Sequence, residues 1–347
     1  MPTLSPLAER APELISRDGM TQVHLTLGIA DYDHVRDLVH GVVRPDGIAL
    51  TSLVLEVEEI FHRSIKHVEF DVAECSFAKF IALAAQGDSP FVGIPVFPSR
   101  VFRHSAIYVR ADRNIKTAKD LEGKTVGVPE WAQTAGIYAR GLLAEGYGVD
   151  LTRINWLQAG VNNAGRAEKV KFELPKGLSC QPRPDASLTS MLESGELDAA
   201  ITARVPHAFA HGKGVVRLFP DYRAEEAKLH QQTGVFPIMH VIAMRRAAFE
   251  RHPWMAMSLL KAFEAAKQRS VERIRDLTAS RFPLPWGSTL ANEFDAAFGA
   301  DPFPYGLEAN RHTLTAFCRY AHAQGITSRL LSPDELFPAE VRTSVKV

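Results

Sequence analysis

Two arginines and a histidine lie close together in the segment Ser99–His104. The guanidinium groups of Arg100 and Arg103 suit bidentate binding of a carboxylate, and the His104 imidazole can transfer protons near neutral pH. In an extended segment Arg100 and His104 share one side and Arg103 lies on the other. An arginine here could instead form a structural salt bridge between domains, with Phe102 in the core. We expect at least one of the three charged side chains to contact a ligand.

A further histidine, His240, interrupts the apolar stretch Pro237–Arg245. The stretch is typical of a strand, and a histidine at such a position is by default a hydrogen-bonded core residue. If the strand returns to the first domain beside a cleft, His240 could instead act as an acid, a base or a hydrogen-bond donor to a ligand. Both interpretations stay open.

Polar side chains follow two of the predicted strands at their carboxyl ends, where open α/β sheets bind ligands. Asp31 and Tyr32 follow the first strand, and Glu74 and Ser76 end the third. Glu74 could accept a proton, and Tyr32 could donate a hydrogen bond to a carboxylate. Asp31 and Ser76 could equally be helix caps.

The loop that begins at Glu130 precedes a predicted helix and could bind an anion. Backbone N–H groups at a helix N-terminus attract negative charge, and Gln133 or Thr134 could add a side-chain donor. Trp131 could stack on an aromatic ring, whereas Thr134 could simply cap the helix. Arg204, at the end of another predicted strand, is a candidate for binding a second carboxylate.

An alternation of strand and helix patterns positions these candidates. Apolar strand patterns at Val23–Ala30, Ile48–Val57 and Phe70–Ser76 are each followed by helical spacing, which is typical of a parallel sheet with flanking helices. A second α/β unit begins near residue 113. The chain then returns through the strand at Pro237–Arg245 to a long helix with one apolar face.

The composition argues against several classes of function. The 347 residues include 40 Lys+Arg and 40 Asp+Glu, so the formal net charge is zero, which argues against a nucleic-acid-binding or polybasic membrane-surface protein. Since no stretch is long and apolar enough, we expect no membrane span. The three cysteines are far apart and form no zinc or redox motif.

The first 20 residues lack the cationic start and apolar core of a secretory signal. We expect a flexible N-terminal arm over residues 1–20 and a cytoplasmic protein. The chain also lacks a P-loop and the motifs GxGxxG, HExxH and GxSxG, which argues against nucleotide-binding, zinc-protease and serine-hydrolase functions.

The order of the elements and the stretch Ile115–Pro129 (IKTAKDLEGKTVGVP) resemble the type II periplasmic-binding-protein fold. The resemblance implies an α/β protein of two lobes with a ligand cleft between them. It places lobe I at residues 21–110 and 236–347, where the second part includes a C-terminal helical extension. Lobe II comprises residues 111–235.

Other stretches carry a more specific resemblance. They are Phe97–Val109, Gly127–Leu143, Thr233–Arg246, Pro304–Leu314 and Ser332–Phe337. In this order they resemble the 4,5-dihydroxyphthalate decarboxylase family, and the resemblance covers roughly residues 21–340, nearly the whole chain.

The resemblance implies loss of one carboxylate from 4,5-dihydroxyphthalate without oxidation, giving protocatechuate, in aromatic-acid degradation. Such a site must bind two negative charges, supply an acid, polarise a hydroxyl and exclude water. The catalytic candidates are His104, His240 and Glu74. The substrate-binding candidates are Arg100, Arg103, Arg204, Tyr32, Asp31, Ser76, Glu130, Trp131, Gln133 and Thr134.

No metal site is expected, because no cluster of ligand residues is visible and the spacing of His62 and His67 does not suit one helix face. We therefore expect no obligatory cofactor, although a catechol-like substrate could recruit a divalent ion. The expected partner is a small aromatic di-acid, without nucleic acid or membrane. A homo-oligomer stays open.

Two other functions stay open at this stage. The fold alone equally suits an ABC-type solute-binding protein for an aromatic or other organic anion, and a signal peptide upstream of the start would favour it. A related decarboxylase could act on another hydroxylated aromatic acid, which Trp131 would favour if it reshapes the pocket.

Overall fold

Two mixed sheets with helices packed on them make up the fold. The computed structural model describes residues 6–17, 20–170, 172–279, 281–299, 301 and 303–343. Within these residues the strands are, in chain order, β1 (Glu13–Arg17), β2 (Met20–Ile29), β3 (Ile48–Val54), β4 (Val72–Ser76), β5 (Phe91–Ile94), β6 (Ile107–Arg110), β7 (Thr125–Val128), β8 (Asn155–Gly160), β9 (Cys180–Ser187), β10 (Ala199–Ile201), β11 (Val215–Arg217) and β12 (His240–Arg245). The α-helices of the same residues are α1 (Arg36–Val39), α2 (Val57–His67), α3 (Phe77–Gln86), α4 (Thr134–Tyr147), α5 (Leu188–Ser194), α6 (His207–Ala210), α7 (Tyr222–Thr233), α8 (Arg246–Arg251), α9 (Trp254–Arg275), α10 (Gly287–Phe298) and α11 (Arg311–Ala323).

The first sheet has the strand order β1-β2-β4-β12-β5, and β3 pairs with β2. β2 is parallel to β3 and β4, whereas β12 is antiparallel to β4 and β5. Leu25, Leu27 and Ile29 alternate along β2 and are fully buried, as the strand pattern predicted. Because β12 begins opposite the last residue of β4, the ends of β2 and β4 and the start of β12 lie at one edge of the sheet.

Part of the expected N-terminal arm is a strand. β1 pairs antiparallel with the first half of β2, from Glu13 opposite His24 to Arg17 opposite Met20. Arg245 holds the preceding turn against the sheet, because its guanidinium donates to the Leu7 carbonyl at 2.6 Å. The expectation of a flexible arm is therefore wrong for residues 13–17, whose backbone groups complete the ladder of β2.

The second sheet has the order β11-β6-β10-β7-β8-β9. β10, β7, β8 and β9 are parallel to one another, and β6 is antiparallel to β10 and β11. The expected lobe boundary placed Ile107–Arg110 in lobe I, whereas this strand belongs to the second sheet. The two segments that cross between the sheets contact each other, since the Met239 N–H donates to the Ser99 carbonyl at 2.8 Å.

The C-terminal helix α11 packs on α4, a helix of the second sheet. α4 is buried along Thr134–Leu143, and α11 approaches so closely that a Cβ added to Gly141 would lie 2.4 Å from the Tyr320 ring.

The long helices of the structure are therefore packed elements. In the part of the chain that is described, none is both long and apolar enough to cross a membrane.

Candidate active site

Three polar side chains from neighbouring strand ends share hydrogen bonds at the edge of the first sheet. Glu74, in β4, is fully buried. Its Oε1 accepts a hydrogen bond from the Tyr32 hydroxyl at 2.7 Å and from Nδ1 of His240 at 2.5 Å, and its Oε2 accepts from the Ala30 N–H at 3.0 Å. The structure thus brings three sequence-predicted residues into one group, which we call the Tyr32–Glu74–His240 triad.

The surroundings of the triad favour a charged Glu74. Burial opposes ionisation of this carboxyl. The hydrogen bond and the charge of His240 outweigh burial, together with the hydrogen bonds that Tyr32 and the Ala30 N–H donate, and the pKa of Glu74 is lowered. Burial, the charge of Glu74 and the hydrogen bond to it raise the pKa of Tyr32, so its hydroxyl keeps its proton. Since a carboxylate only accepts hydrogen bonds, Nδ1 of His240 carries hydrogen, and Nε2 is the nitrogen that can exchange a proton with a ligand.

Aromatic rings flank the triad on both sides. The Phe61 ring, from α2, makes an edge contact with the His240 ring at 4.9 Å between centroids. On the other side the His34 ring stacks on Tyr32 at 5.2 Å, and burial lowers the pKa of His34 to about 4. The His240 side chain remains 18% exposed, so a substrate can reach it.

The N-termini of α3 and α4 meet between the two sheets. The hydroxyls of Ser76, just before α3, and Thr134, the first residue of α4, are hydrogen-bonded at 3.1 Å. Thr134 Oγ1 also accepts from the Ala78 N–H at 3.1 Å. Gln133 precedes α4, and its buried Oε1 has no hydrogen-bond partner among the described residues. Two positive helix ends therefore lie in one region, which favours binding of an anion.

Four cations, Lys79, Arg166, Lys169 and Arg204, form what we call the basic cluster. Arg166 donates to the buried Glu130 at 2.6 and 2.9 Å. The ammonium groups of Lys79 and Lys169 lie 3.5 and 3.8 Å from the same carboxylate. Lys79 comes from α3, on the first sheet, whereas the other cations come from loops of the second sheet. Glu130 therefore holds cations of the cluster in place and is not itself a donor to an anionic substrate.

The basic cluster lies next to the triad. Its four cations outnumber the three neighbouring carboxylates, of which Glu58 pairs with two of the cluster's arginines. Burial and the charge of Glu130 raise the pKa of a further carboxyl, Glu168. Glu58 and Phe61 are three residues apart on α2 and share a helix face, and Phe61 contacts His240. The triad and the basic cluster thus form one candidate site between the sheets.

His104 lies outside this site. It is fully buried, with Nε2 3.2 Å from the Tyr147 hydroxyl and its ring against Phe219. Tyr147 is the last residue of α4, whereas Thr134 is the first, and a helix of this length spans about 20 Å. Burial lowers the pKa of His104 to about 4. His104 is thus a buried, neutral histidine away from the triad, and its expected catalytic role stays a prediction that this placement does not favour.

Arg100 is a packing residue in this structure. Its guanidinium donates to the Asn310 side-chain oxygen and lies 5.0 Å from the Phe236 ring centroid and 5.8 Å from that of Phe303. Burial lowers its pKa to about 10. Aromatic faces and an amide oxygen thus surround the charge. This packing does not favour substrate binding by Arg100, which stays a prediction.

Arg103 lies closer to the triad. Its Nε–H faces the sulfur of Met239 at 3.2 Å, and Met239 directly precedes His240. Burial lowers the pKa of Arg103 to about 10. Phe102 stacks on Phe236 at 4.7 Å, as the packing alternative for that ring predicted. Arg103 stays a candidate for contact with substrate.

Trp131 does not face the site. It is buried, its indole N–H donates to the Gln324 carbonyl at 2.9 Å, and the Arg140 guanidinium carbon lies 3.8 Å from the ring centroid. This placement does not favour stacking of Trp131 on a substrate ring, or a role of this residue in reshaping the pocket, and both stay predictions. Asp31 is exposed at the end of β2 and lies outside the triad's hydrogen bonds.

Two curated relatives decide the family. A 4,5-dihydroxyphthalate decarboxylase of Comamonas testosteroni is 36% identical over 330 residues, which cover 94% of this chain and 100% of the relative. A second one, of Pseudomonas putida, is 39% identical over 194 residues, 56% of this chain and 75% of the relative. The chain belongs to the 4,5-dihydroxyphthalate decarboxylase family. No family model matches the sequence.

The fold of this family member agrees with that of a solved binding protein. The periplasmic aliphatic sulphonate binding protein of Escherichia coli superposes with a TM-score of 0.51 at 14% identity, covering 90% of this chain and 97% of that protein. The similarity confirms the two-lobed fold that the sequence predicted. At this identity it concerns the fold alone.

Several residues of the candidate site in this decarboxylase-family chain were not predicted from the sequence. Arg166 and Lys169 follow the carboxyl end of β8, the position that parallel sheets use for ligands. Lys79 is a buried lysine in the apolar helix α3, and an unexplained buried charge of this kind is a signal in itself. Phe61 carried no signal, because an aromatic residue on an amphipathic helix is ordinary core.

The part of the chain that the structure describes contains no group of three or more His, Cys, Asp or Glu side chains that could hold a metal ion. Binding of a divalent ion through the substrate of this family would need the catechol oxygens as ligands.

Proposed function

We propose that this protein decarboxylates 4,5-dihydroxyphthalate without oxidation, giving protocatechuate and carbon dioxide. The observation that carries the proposal is the Tyr32–Glu74–His240 triad beside a basic cluster, in a chain related along 94% of its length to a decarboxylase of that name. The substrate is a di-anion with two hydroxyl groups. It needs cations at its carboxylates and a proton donor beside the ring carbon that loses one of them.

The carboxylates bind at the basic cluster. Arg166 and Arg204 carry planar forks of N–H donors that match a carboxylate, and the paired N-termini of α3 and α4 add positive potential. The ring then lies along Phe61, and the carbon that bears the departing carboxylate faces Nε2 of His240. An aromatic edge contact with Phe61 orients the ring plane.

His240 moves the proton. In 4,5-dihydroxyphthalate each carboxylate is para to a hydroxyl, so that oxygen can push electron density toward the carbon that bears the carboxylate. The protonated imidazole donates from Nε2 to this carbon, the bond to the carboxylate breaks, and carbon dioxide leaves as aromaticity returns. One proton is consumed in each turnover. Glu74 holds the imidazole and stabilises its charged form, and Tyr32 holds Glu74.

The test is turnover by the purified full chain. We expect protocatechuate and carbon dioxide in equal amounts from 4,5-dihydroxyphthalate, measured by chromatography and by gas release, with and without divalent ions. His240→Gln should lower kcat by about 10²- to 10⁴-fold, while the exposed His40→Gln control keeps full activity.

Two outcomes would contradict the proposal. Absence of product under all conditions would exclude this activity, and tight binding of the di-acid without turnover would favour a solute-binding protein. A His240→Gln chain with normal kcat would place the general acid elsewhere. The cytoplasmic location expected from the sequence stays a prediction, which fractionation of cells that produce the native chain tests.

A further inference from the structure

A glutamate of the first lobe occupies a carboxylate-binding position of the second. Glu58 lies in the first turn of α2, and its Oε1 accepts from Arg166 Nη1 at 3.3 Å and from Arg204 Nη2 at 3.0 Å. Arg166 follows β8 and Arg204 follows β10. Two guanidinium groups of one sheet thus converge on a single carboxylate oxygen that belongs to the other.

Glu58 is the exchangeable partner of these arginines. Arg166 also pairs with Glu130, whose side chain is only 2% exposed, whereas the Glu58 side chain is 41% exposed. Separating Arg166 from Glu130 is costly because that ion pair is buried. The Glu58 carboxylate can instead separate from the arginines and be hydrated. Burial opposes ionisation of Glu58, and the charges of Arg166 and Arg204 outweigh it and lower the pKa, so the residue is an anion at neutral pH.

The position of Glu58 relative to the triad fits one substrate. Glu58 is almost one helical turn from Phe61 on the same face of α2, and the Phe61 ring contacts His240. A carboxylate held in place of the Glu58 carboxylate would belong to a ring lying along Phe61. The neighbouring ring carbon, which bears the departing carboxylate, would face His240.

We propose that Glu58 is an internal competitor for the substrate: a carboxylate of the ligand displaces the Glu58 carboxylate from Arg166 and Arg204. The inference rests on the proposed function for the identity of the ligand as an aromatic di-acid. It assigns Arg166 and Arg204 as the groups that select a carboxylate. Glu58 then raises the Kd of every carboxylate ligand, since each ligand must displace it from the arginines.

The experiment measures binding of phthalate, which has both carboxylates but no hydroxyls and so does not react. Isothermal titration at constant ionic strength gives Kd for the native chain and for Glu58→Gln. Removing the competitor should tighten Kd about two- to fivefold, the size expected for a partly exposed ion pair. Glu59→Gln is the matched control, because Glu59 is the next residue and pairs with Arg63 instead.

The same substitution in an Arg204→Gln chain tests whether Glu58 acts through the two arginines. Arg204 is largely exposed, with 66% of its side chain accessible, so Arg204→Gln leaves packing intact. If Glu58 acts through the two arginines, the gain from Glu58→Gln is smaller in the Arg204→Gln chain than in the native one. An equal gain in both backgrounds contradicts the inference.

The inference and the proposed function fail in different ways. An unchanged or weaker Kd in Glu58→Gln overturns the inference even if the native chain decarboxylates 4,5-dihydroxyphthalate, and so does absence of phthalate binding in both chains. If Glu58→Gln binds phthalate more tightly but the native chain forms no protocatechuate, the carboxylate exchange is supported and the proposed decarboxylase function is contradicted.

Discussion

Glu74 stays charged in a buried position because three donors face it, from Tyr32, His240 and the Ala30 backbone. Glutamine would keep the volume but could place an NH₂ group where Nδ1–H of His240 needs an acceptor. The imidazole is then held in the wrong tautomer, as in an Asp-to-Asn change of a Ser-His-Asp triad. We expect Glu74→Gln to lower kcat by about 10²- to 10⁴-fold, with a smaller change in KM.

Steady-state protocatechuate formation by this variant measures the effect. Glu69→Gln serves as the control, because Glu69 pairs with Arg63 on the surface, outside the site. Equal kcat values for Glu74→Gln and the native chain would show that Glu74 does not orient His240. Near-UV circular dichroism of both variants separates a catalytic defect from a folding defect.

Some residues of the site were predictable and others were not. Tyr32, Glu74 and His240 were found because strand ends in an open sheet converge by topology, whatever the side-chain details. Arg100 and His104 lie outside the candidate site in this structure, because closeness to the crossing segment does not fix which way a side chain points. Aromatic residues from distant parts of the chain surround both side chains, and a local sequence pattern does not predict such contacts.

The helices α3 and α4 meet through one hydroxyl. Thr134 Oγ1 contacts the Ser76 hydroxyl and the Ala78 N–H, so it links elements of the two sheets beside the site. Valine keeps the shape of threonine and removes these hydrogen bonds. We expect Thr134→Val to destabilise the fold by about 1–2 kcal/mol and to weaken phthalate binding, because the helix N-termini no longer share a hydrogen bond.

Thr134→Ser is the matched control, since it keeps the hydroxyl and loses only a methyl group. Denaturant unfolding and titration with phthalate measure the two effects. If the valine and serine chains have equal stability and equal Kd, the hydroxyl contact does not couple the helices. The prediction then fails although the packing of α4 is unchanged.

At the element scale, local patterns predicted most strands and helices well. Alternating apolar residues predicted β2, whose Leu25, Leu27 and Ile29 are fully buried, and the helical spacing after the third strand pattern predicted α3. β1 was missed because its pattern is not apolar: Leu14 is 64% exposed. Its stability comes from backbone pairing with β2, a non-local interaction that periodicity does not reveal.

The molecule as a whole has no net charge, yet its charges are unevenly placed. Cations collect between the two sheets at the basic cluster, while buried histidines elsewhere are neutral. Burial lowers the pKa of His104 to about 4, against about 6.5 in an unfolded chain. The stability of the whole fold should therefore depend on pH through this residue.

Between pH 6.5 and pH 4 the unfolded chain binds a proton at His104 that the folded chain does not, so stability falls as the pH falls. The full contribution is present above pH 6.5 and is lost as the pH drops through about 4. From pH 7 to pH 5 it amounts to about 2 kcal/mol. His104→Phe fills the same space beside Phe219 and Tyr147 without titrating. Its free energy of unfolding should therefore fall by about 2 kcal/mol less than that of the native chain over this range.

Denaturant unfolding at pH 7, 6 and 5 measures this difference, with the exposed His40→Gln variant as control. His34, whose pKa burial also lowers to about 4, is present in all three chains and cancels from the comparison. A native chain and a His104→Phe chain that lose equal stability between pH 7 and pH 5 would mean that the folded protein protonates His104 as readily as the unfolded chain. In that case the crossing segment would open to water in the native state, and His104 would again be available for proton transfer.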